Sequence, residues 1–100
     1  MNHLKIILSL DAVKWFHDEM EVKAGDAIRF YARYGGSSPV HDGFSIGMTR
    51  DIPVIPSSTI TRDNIVYFIE ERDAWFFEGY DLHVDVDVKL DELTYSYEKA

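Results

Sequence analysis

The sequence predicts an α+β domain, mostly β, in which small curled sheets pack against one N-terminal amphipathic helix. Three observations carry this. Apolar residues recur once at helical spacing, over residues 10–20. Two-residue alternation recurs in several later stretches, among them 27–34 and 81–90. Turn signals separate those stretches by short distances, leaving one clear helix and about six strands.

Taken in order, "HLKIIL" (residues 3–8) reads as a strand. Ser9 then suits a helix N-cap, with Asp11 favourably placed in the first turn. Leu8 and Val13 fit a hydrophobic staple across that cap. Leu10, Val13, Phe16, His17 and Met20 share one arc, while Lys14, Asp18 and Glu21 face outward. His17, within that arc, is expected at the edge of the core. Gly25-Asp26 is a turn signal.

"AIRFYARY" (27–34) sets Ile28, Phe30, Ala32 and Tyr34 against Arg29, Tyr31 and Arg33, the period of a half-buried strand. "GFSIGMT" (43–49) resumes with Phe44, Ile46 and Met48 on one face. Residues 50–62, with Pro53, Pro56 and several hydroxyls, read as loop with at most a short extended piece. "NIVYFIEE" (64–71) is a strand, and "RDAWFFEGY" (72–80) fits a short helix or a strand, ended by Gly79. "DLHVDVDVKL" (81–90) alternates, and "LTYSYEK" (93–99) is a last short strand.

One hundred residues make a single domain, 1–100. A 46% hydrophobic content, with 14% aromatic residues, supplies one packed core without staples. The absence of cysteine excludes disulfides, thiolate catalysis and thiolate-held metal, and fits a reducing compartment. The formal charge of −8 repels phosphate backbones, so no nucleic-acid partner is expected. No apolar run approaches a membrane span. The start lacks a signal peptide's long apolar region. A cytoplasmic location is expected.

The order strand, Ser-capped helix, strand, Gly-Gly loop, strand resembles the HesB/IscA-like family of A-type iron–sulfur cluster carriers. "LSLDAVKWF" is similar to that family's opening helix, and "RYGGSS" followed by "GFSIGM" to its Gly-Gly-Gly-Cys-Ser-Gly-Phe segment. "FFEGYDLHV" resembles its Leu-x-Gly-x-x-Leu-Asp strand entry, and "LTYSYEK" sits where the family has Phe-x-Phe-x-x-Asn-Pro. The cysteine-free, YneR-like branch of Gram-positive bacteria is the nearer likeness. In the carriers three thiolates hold iron, one in the Gly-rich loop and two in a Cys-Gly-Cys near the C-terminus. Here Ser37 occupies the loop position, residues 39–42 stand as an inserted spacer, and the sequence reaches Ala100 about where the Cys-Gly-Cys would begin. Hydroxyls are hard ligands and protonated at neutral pH, so no cluster is expected. The resemblance implies the fold, not the carrier activity, and no cofactor.

The segment matching the family's cluster loop is therefore the first candidate site: Gly35, Gly36, Ser37, Ser38 and His41. Its hydroxyls and amides fit an anion, with Arg29 and Arg33 adding charge; equally, they fit a turn whose hydroxyls satisfy local backbone. A second candidate is a site for iron or another hard or borderline divalent ion, from His41, His83, Asp85 and Asp87. The bland alternative for Asp81, His83, Asp85 and Asp87 is a solvated strand face. Trp15, Trp75, Phe76 and Phe77 are either core or a partner patch, and Tyr95 and Tyr97 share one face of the last strand.

The functional expectation is a non-enzymatic binding or adaptor domain that contacts a protein partner through residues 35–44 and the acidic face around Asp85. A link to iron–sulfur assembly follows only from fold analogy. Weak binding of iron or another divalent ion is the alternative. A hydrolase using Ser37 or Ser38 ranks third, because no motif places a general base. Exposed strand edges also suggest a homo-oligomer.

Overall fold

The computed structural model describes residues 4–39 and 41–100, and of Ser37 only the backbone. The expected strand start at His3 lies outside the described residues. The elements run β1 (Ile6–Leu8), α1 (Leu10–Met20), β2 (Ala27–Ser37), β3 (Asp42–Arg50), β4 (Pro56–Arg62), β5 (Ile65–Glu70), a 3-10 helix (Glu71–Phe77), β6 (Tyr80–Asp87) and β7 (Glu92–Lys99). This is the α+β, mostly β architecture expected, with two sheets and an N-terminal helix. One sheet has the order β1-β6-β7 and the other β3-β2-β5-β4. β1 pairs parallel with β6, and β2 parallel with β5; the remaining pairs are antiparallel.

Ser9 caps α1 as its residue type predicts. Its extended backbone frees the hydroxyl to accept from Ala12 N at 3.0 Å. The same hydroxyl donates to Asp85 Oδ1 at 2.7 Å, and Ser9 N donates to Val84 O at 3.0 Å. These bonds pin the helix start to β6 and set which face turns inward. Ala12 and Phe16 are buried, whereas Leu10 is 88% exposed. The inward arc is thus rotated from the expected one, because the tether to β6 outranks the apolar count. His17 stands at the edge, 3.3 Å from Asp63.

The expectation of a loop over 50–62 fails at its second half, where β4 pairs with β5 (Ile60 with Tyr67, Arg62 with Ile65). Asp63 and Asn64 turn the hairpin with φ of 52° and 64°, the two-residue turn whose twist matches paired strands. The ambiguous segment 72–80 resolves into the 3-10 helix and the start of β6. β6 stops at Asp87 rather than Leu90, because the Asp87 carboxylate accepts from Lys89 N at 3.0 Å and Leu90 N at 3.2 Å and folds the chain into a turn.

The core lies between the sheets. Phe16 packs 5.1 Å from Tyr67, and Phe30 packs 6.1 Å from Tyr95 on the opposite sheet, centroid to centroid. Gly47 is paired with Tyr31, and a Cβ there would lie 2.3 Å from the Tyr31 ring, so the ring occupies the space a side chain would take. No described helix is long and apolar enough to cross a membrane.

Candidate functional site

The sequence candidate Gly35-Gly36-Ser37-Ser38 forms the end of β2 and the β2–β3 turn. Gly35 and Gly36 take φ of 111° and 67°, and the strand register shifts between Tyr34 and Ser37. This is a bulge that only glycine makes cheaply. Ser38 then closes the tip: its amide and hydroxyl both bond to His41 O, at 3.3 and 3.2 Å, and the hydroxyl accepts from His41 N at 3.1 Å. The Ser38 hydroxyl therefore serves its own turn. The Ser37 side chain lies outside the described residues.

The His41 ring packs on aromatic rings, 5.2 Å from Trp75 and 5.5 Å from Phe76. Phe44 lies 5.2 Å from Trp75, and Tyr34 lies 5.6 Å from Phe44. Phe76 is buried, but Trp75 is 45% and Tyr34 87% exposed. The cluster is core on one side and open surface on the other.

Two buried acids, neither singled out by sequence reasoning, position this surface. Asp73 in the 3-10 helix accepts from Arg29 Nη2 at 2.7 Å and from Ala32 N at 3.4 Å, locking the helix to β2. Arg29 also reaches Asp51 at 3.4 Å. Burial alone would lower the Arg29 pKa, but the hydrogen bonds and charges of Asp73 and Asp51 outweigh it and raise the pKa. Arg29 is thus committed to structure and unavailable to the loop. Glu70 spreads its carboxylate over two loop amides, Val54 N at 2.7 Å and Ile55 N at 2.9 Å, while Glu71 N donates to Ile55 O at 2.8 Å. These bonds fix a loop that presents apolar side chains to solvent: Ile52, Val54 and Ile55 are 77%, 80% and 61% exposed. A cavity of about 480 Å³ lies against Val54, Ile55 and residues 70–72. The 3-10 helix therefore joins two exposed apolar features, the aromatic cluster at its end and the 52–55 loop at its start.

The four metal candidates do not converge. His41 is on the aromatic cluster, and His83 Nε2 lies 3.2 Å from Glu98. Asp85 accepts from Ser9 Oγ and from its neighbour's amide, which together hold its pKa below the usual carboxylate range, and Asp87 holds the β6–β7 turn. Among the described residues no group of three His, Cys, Asp or Glu could hold a metal ion.

Fold and site together define a small, cysteine-free α+β domain that carries an ordered apolar surface beside its hairpin tip. No family model matches the chain, and no solved structure matches it. Relatives are found by sequence. A pyruvate dehydrogenase inhibitor of Bacillus subtilis is 38% identical over 95 residues, spanning 95% of this chain and 100% of the relative. An uncharacterized protein of Staphylococcus saprophyticus is 34% identical, and one of Staphylococcus aureus 33% identical, each over 98 residues covering 93% of this chain and 98% of the relative. The chain belongs to the family that contains the Bacillus subtilis inhibitor.

Proposed function

We propose that this protein is a non-enzymatic regulator that acts by docking onto an enzyme. One observation carries the reading: the buried Glu70 carboxylate is spent on ordering a loop whose apolar side chains point to solvent. Burying a charge to hold an exposed apolar loop gains the isolated chain little, but it preorganises an interface and lowers the entropy lost on binding. Trp75, at the other end of the 3-10 helix, supplies an aromatic anchor of the kind that dominates interface energetics. The relative named as an inhibitor of pyruvate dehydrogenase supports an enzyme as partner and that enzyme as the first to test.

The expected contact through residues 35–44 is kept, as the hairpin tip shares the aromatic cluster. The acidic strand around Asp85 drops out of the interface, since Asp85 is engaged by the helix cap. The HesB/IscA-like scaffold with its thiolates replaced belongs to the same proposal and rests on the sequence resemblance, as does any tie to iron–sulfur assembly. A cytoplasmic location accompanies such a partner. Calorimetric titration of the purified chain into purified pyruvate dehydrogenase complex should give saturable binding, weakened about tenfold or more by Trp75→Ala. The absence of heat and of a co-migrating complex at high concentration would refute the partner.

A further inference from the structure

A second cavity lies on the other side of the hairpin tip, between the two sheets. It holds about 200 Å³ and is lined by Arg33, Ser38, Ser45, Tyr95 and Tyr97, with Pro39 and Ile46. Among the described residues its lining contains no carboxylate, on a chain whose formal charge is −8. Arg33 makes no ion pair among the described residues, in contrast to Arg29 four residues earlier on the same strand, which pairs with Asp51 and Asp73. The Ser45 hydroxyl is buried at the floor without a partner among the described residues. Gly36 lies beside that oxygen, where an added Cβ would make an ordinary contact at 3.4 Å. Both tyrosine rings pack on the core, Tyr95 on Phe30 and Tyr97 on Phe76, which fixes their hydroxyl edges. Burial pushes the Tyr95 phenol up to about 12 and raises that of Tyr97, so both stay protonated donors at any physiological pH.

We propose that this cleft binds a small oxyanion, a phosphate or carboxylate group, with Arg33 as the charged donor and the Tyr95, Tyr97 and Ser45 hydroxyls as neutral ones. A single cation among fixed neutral donors suits a planar or tetrahedral oxyanion, to which charge-assisted bonds are the strong ones. The volume is below the usual range for drug-sized ligands, which limits the ligand to a compact anion or the anionic head of a larger one. Donors from β2, β3 and β7 would close on it together, so occupancy would tie the two sheets. The site borders the docking surface, sharing Ser38 and Pro39 of the hairpin tip with it, but its occupancy does not depend on any enzyme partner.

The test uses the full chain in chloride buffer. Inorganic phosphate and acetate are titrated separately at matched ionic strength, reading melting temperature and calorimetric affinity. At least one should raise the melting temperature; a phosphate response assigns the tetrahedral class and an acetate response the carboxylate class. Arg33→Gln, a change at an exposed position, should weaken that affinity about tenfold to a hundredfold. Tyr95→Phe should weaken it less, and Arg62→Gln, outside the cleft, should leave it unchanged. No stabilisation by either anion, or equal affinity in wild type and Arg33→Gln, would overturn the assignment.

Discussion

Asp73 and Arg29 form the most enclosed ion pair described, 2.7 Å apart with side chains 10% and 13% exposed. Removing one partner from such a pair strands the other charge where water cannot reach it fully. Asp73→Ala should therefore cost about 3 kcal/mol in urea unfolding, and Asp73→Asn less, because the amide oxygen still accepts from Arg29. A loss under about 0.5 kcal/mol for the alanine variant would mean that the pair is an ordinary surface contact. Two phenols give a second check. Tyr67, chiefly through burial and then through the charge of Asp63, and Tyr95, through burial, are pushed up to about 12 from an unfolded value of 10.0. A phenol raised in this way contributes stability that is complete below pH 10 and is lost as pH climbs toward 12. Phenolate absorbance should show Tyr67 and Tyr95 ionising only toward pH 12, with Tyr97 also delayed by burial, together with unfolding in that window. Tyr95→Phe should remove one late step; six phenols ionising together near pH 10 would contradict the burial.

At the scale of elements, what could be read in advance was whatever depends on neighbours in the chain. Ser9 announced α1 because a cap is a local bond, alternation announced β2, β3, β6 and β7 because one face of each packs inward, and β5, buried along nearly its whole length, showed as a continuous strand-like run. β4 was hidden behind hydroxyls and two prolines, yet Asp63-Asn64 before an apolar run is a hairpin signal that could have revealed it. The rotation of α1 was not legible, since it follows from the bonds of Ser9 to Val84 and Asp85 on β6, the latter joining residues 76 apart in sequence. The roles of Glu70 and Asp73 were hidden for the same reason: nothing in "FIEERDAW" says which acids turn inward. The hairpin tip was legible as a turn, and the aromatic cluster was legible only as a choice between core and surface; it is both. If Glu70 orders the 52–55 loop, Glu70→Ala should release the Val54 and Ile55 amides to rapid hydrogen exchange, while amides of β2 and β5 stay protected. The local cost should be about 1–3 kcal/mol. Unchanged exchange at Val54 and Ile55 would show that the loop holds itself.

For the whole molecule, the two sheets enclose one aromatic core, and the chain's chemistry is displaced to the rim. The resemblance to thiolate cluster carriers framed the hairpin tip as a site that had lost its reactive atoms. In the structure that tip braces an aromatic cluster that continues, through the 3-10 helix, to an apolar loop exposed to solvent. The acidic balance of the rest of the surface makes that apolar face stand out and discourages non-specific association. The most direct test is an activity titration of the pyruvate dehydrogenase complex with this chain, wild type against Val54→Asp/Ile55→Asp. Wild type should inhibit in a saturable way, and the double variant, with its melting temperature retained, should need at least about tenfold more protein for the same inhibition. Full enzyme activity in excess wild-type protein, or inhibition that is the same for both chains, would contradict the account.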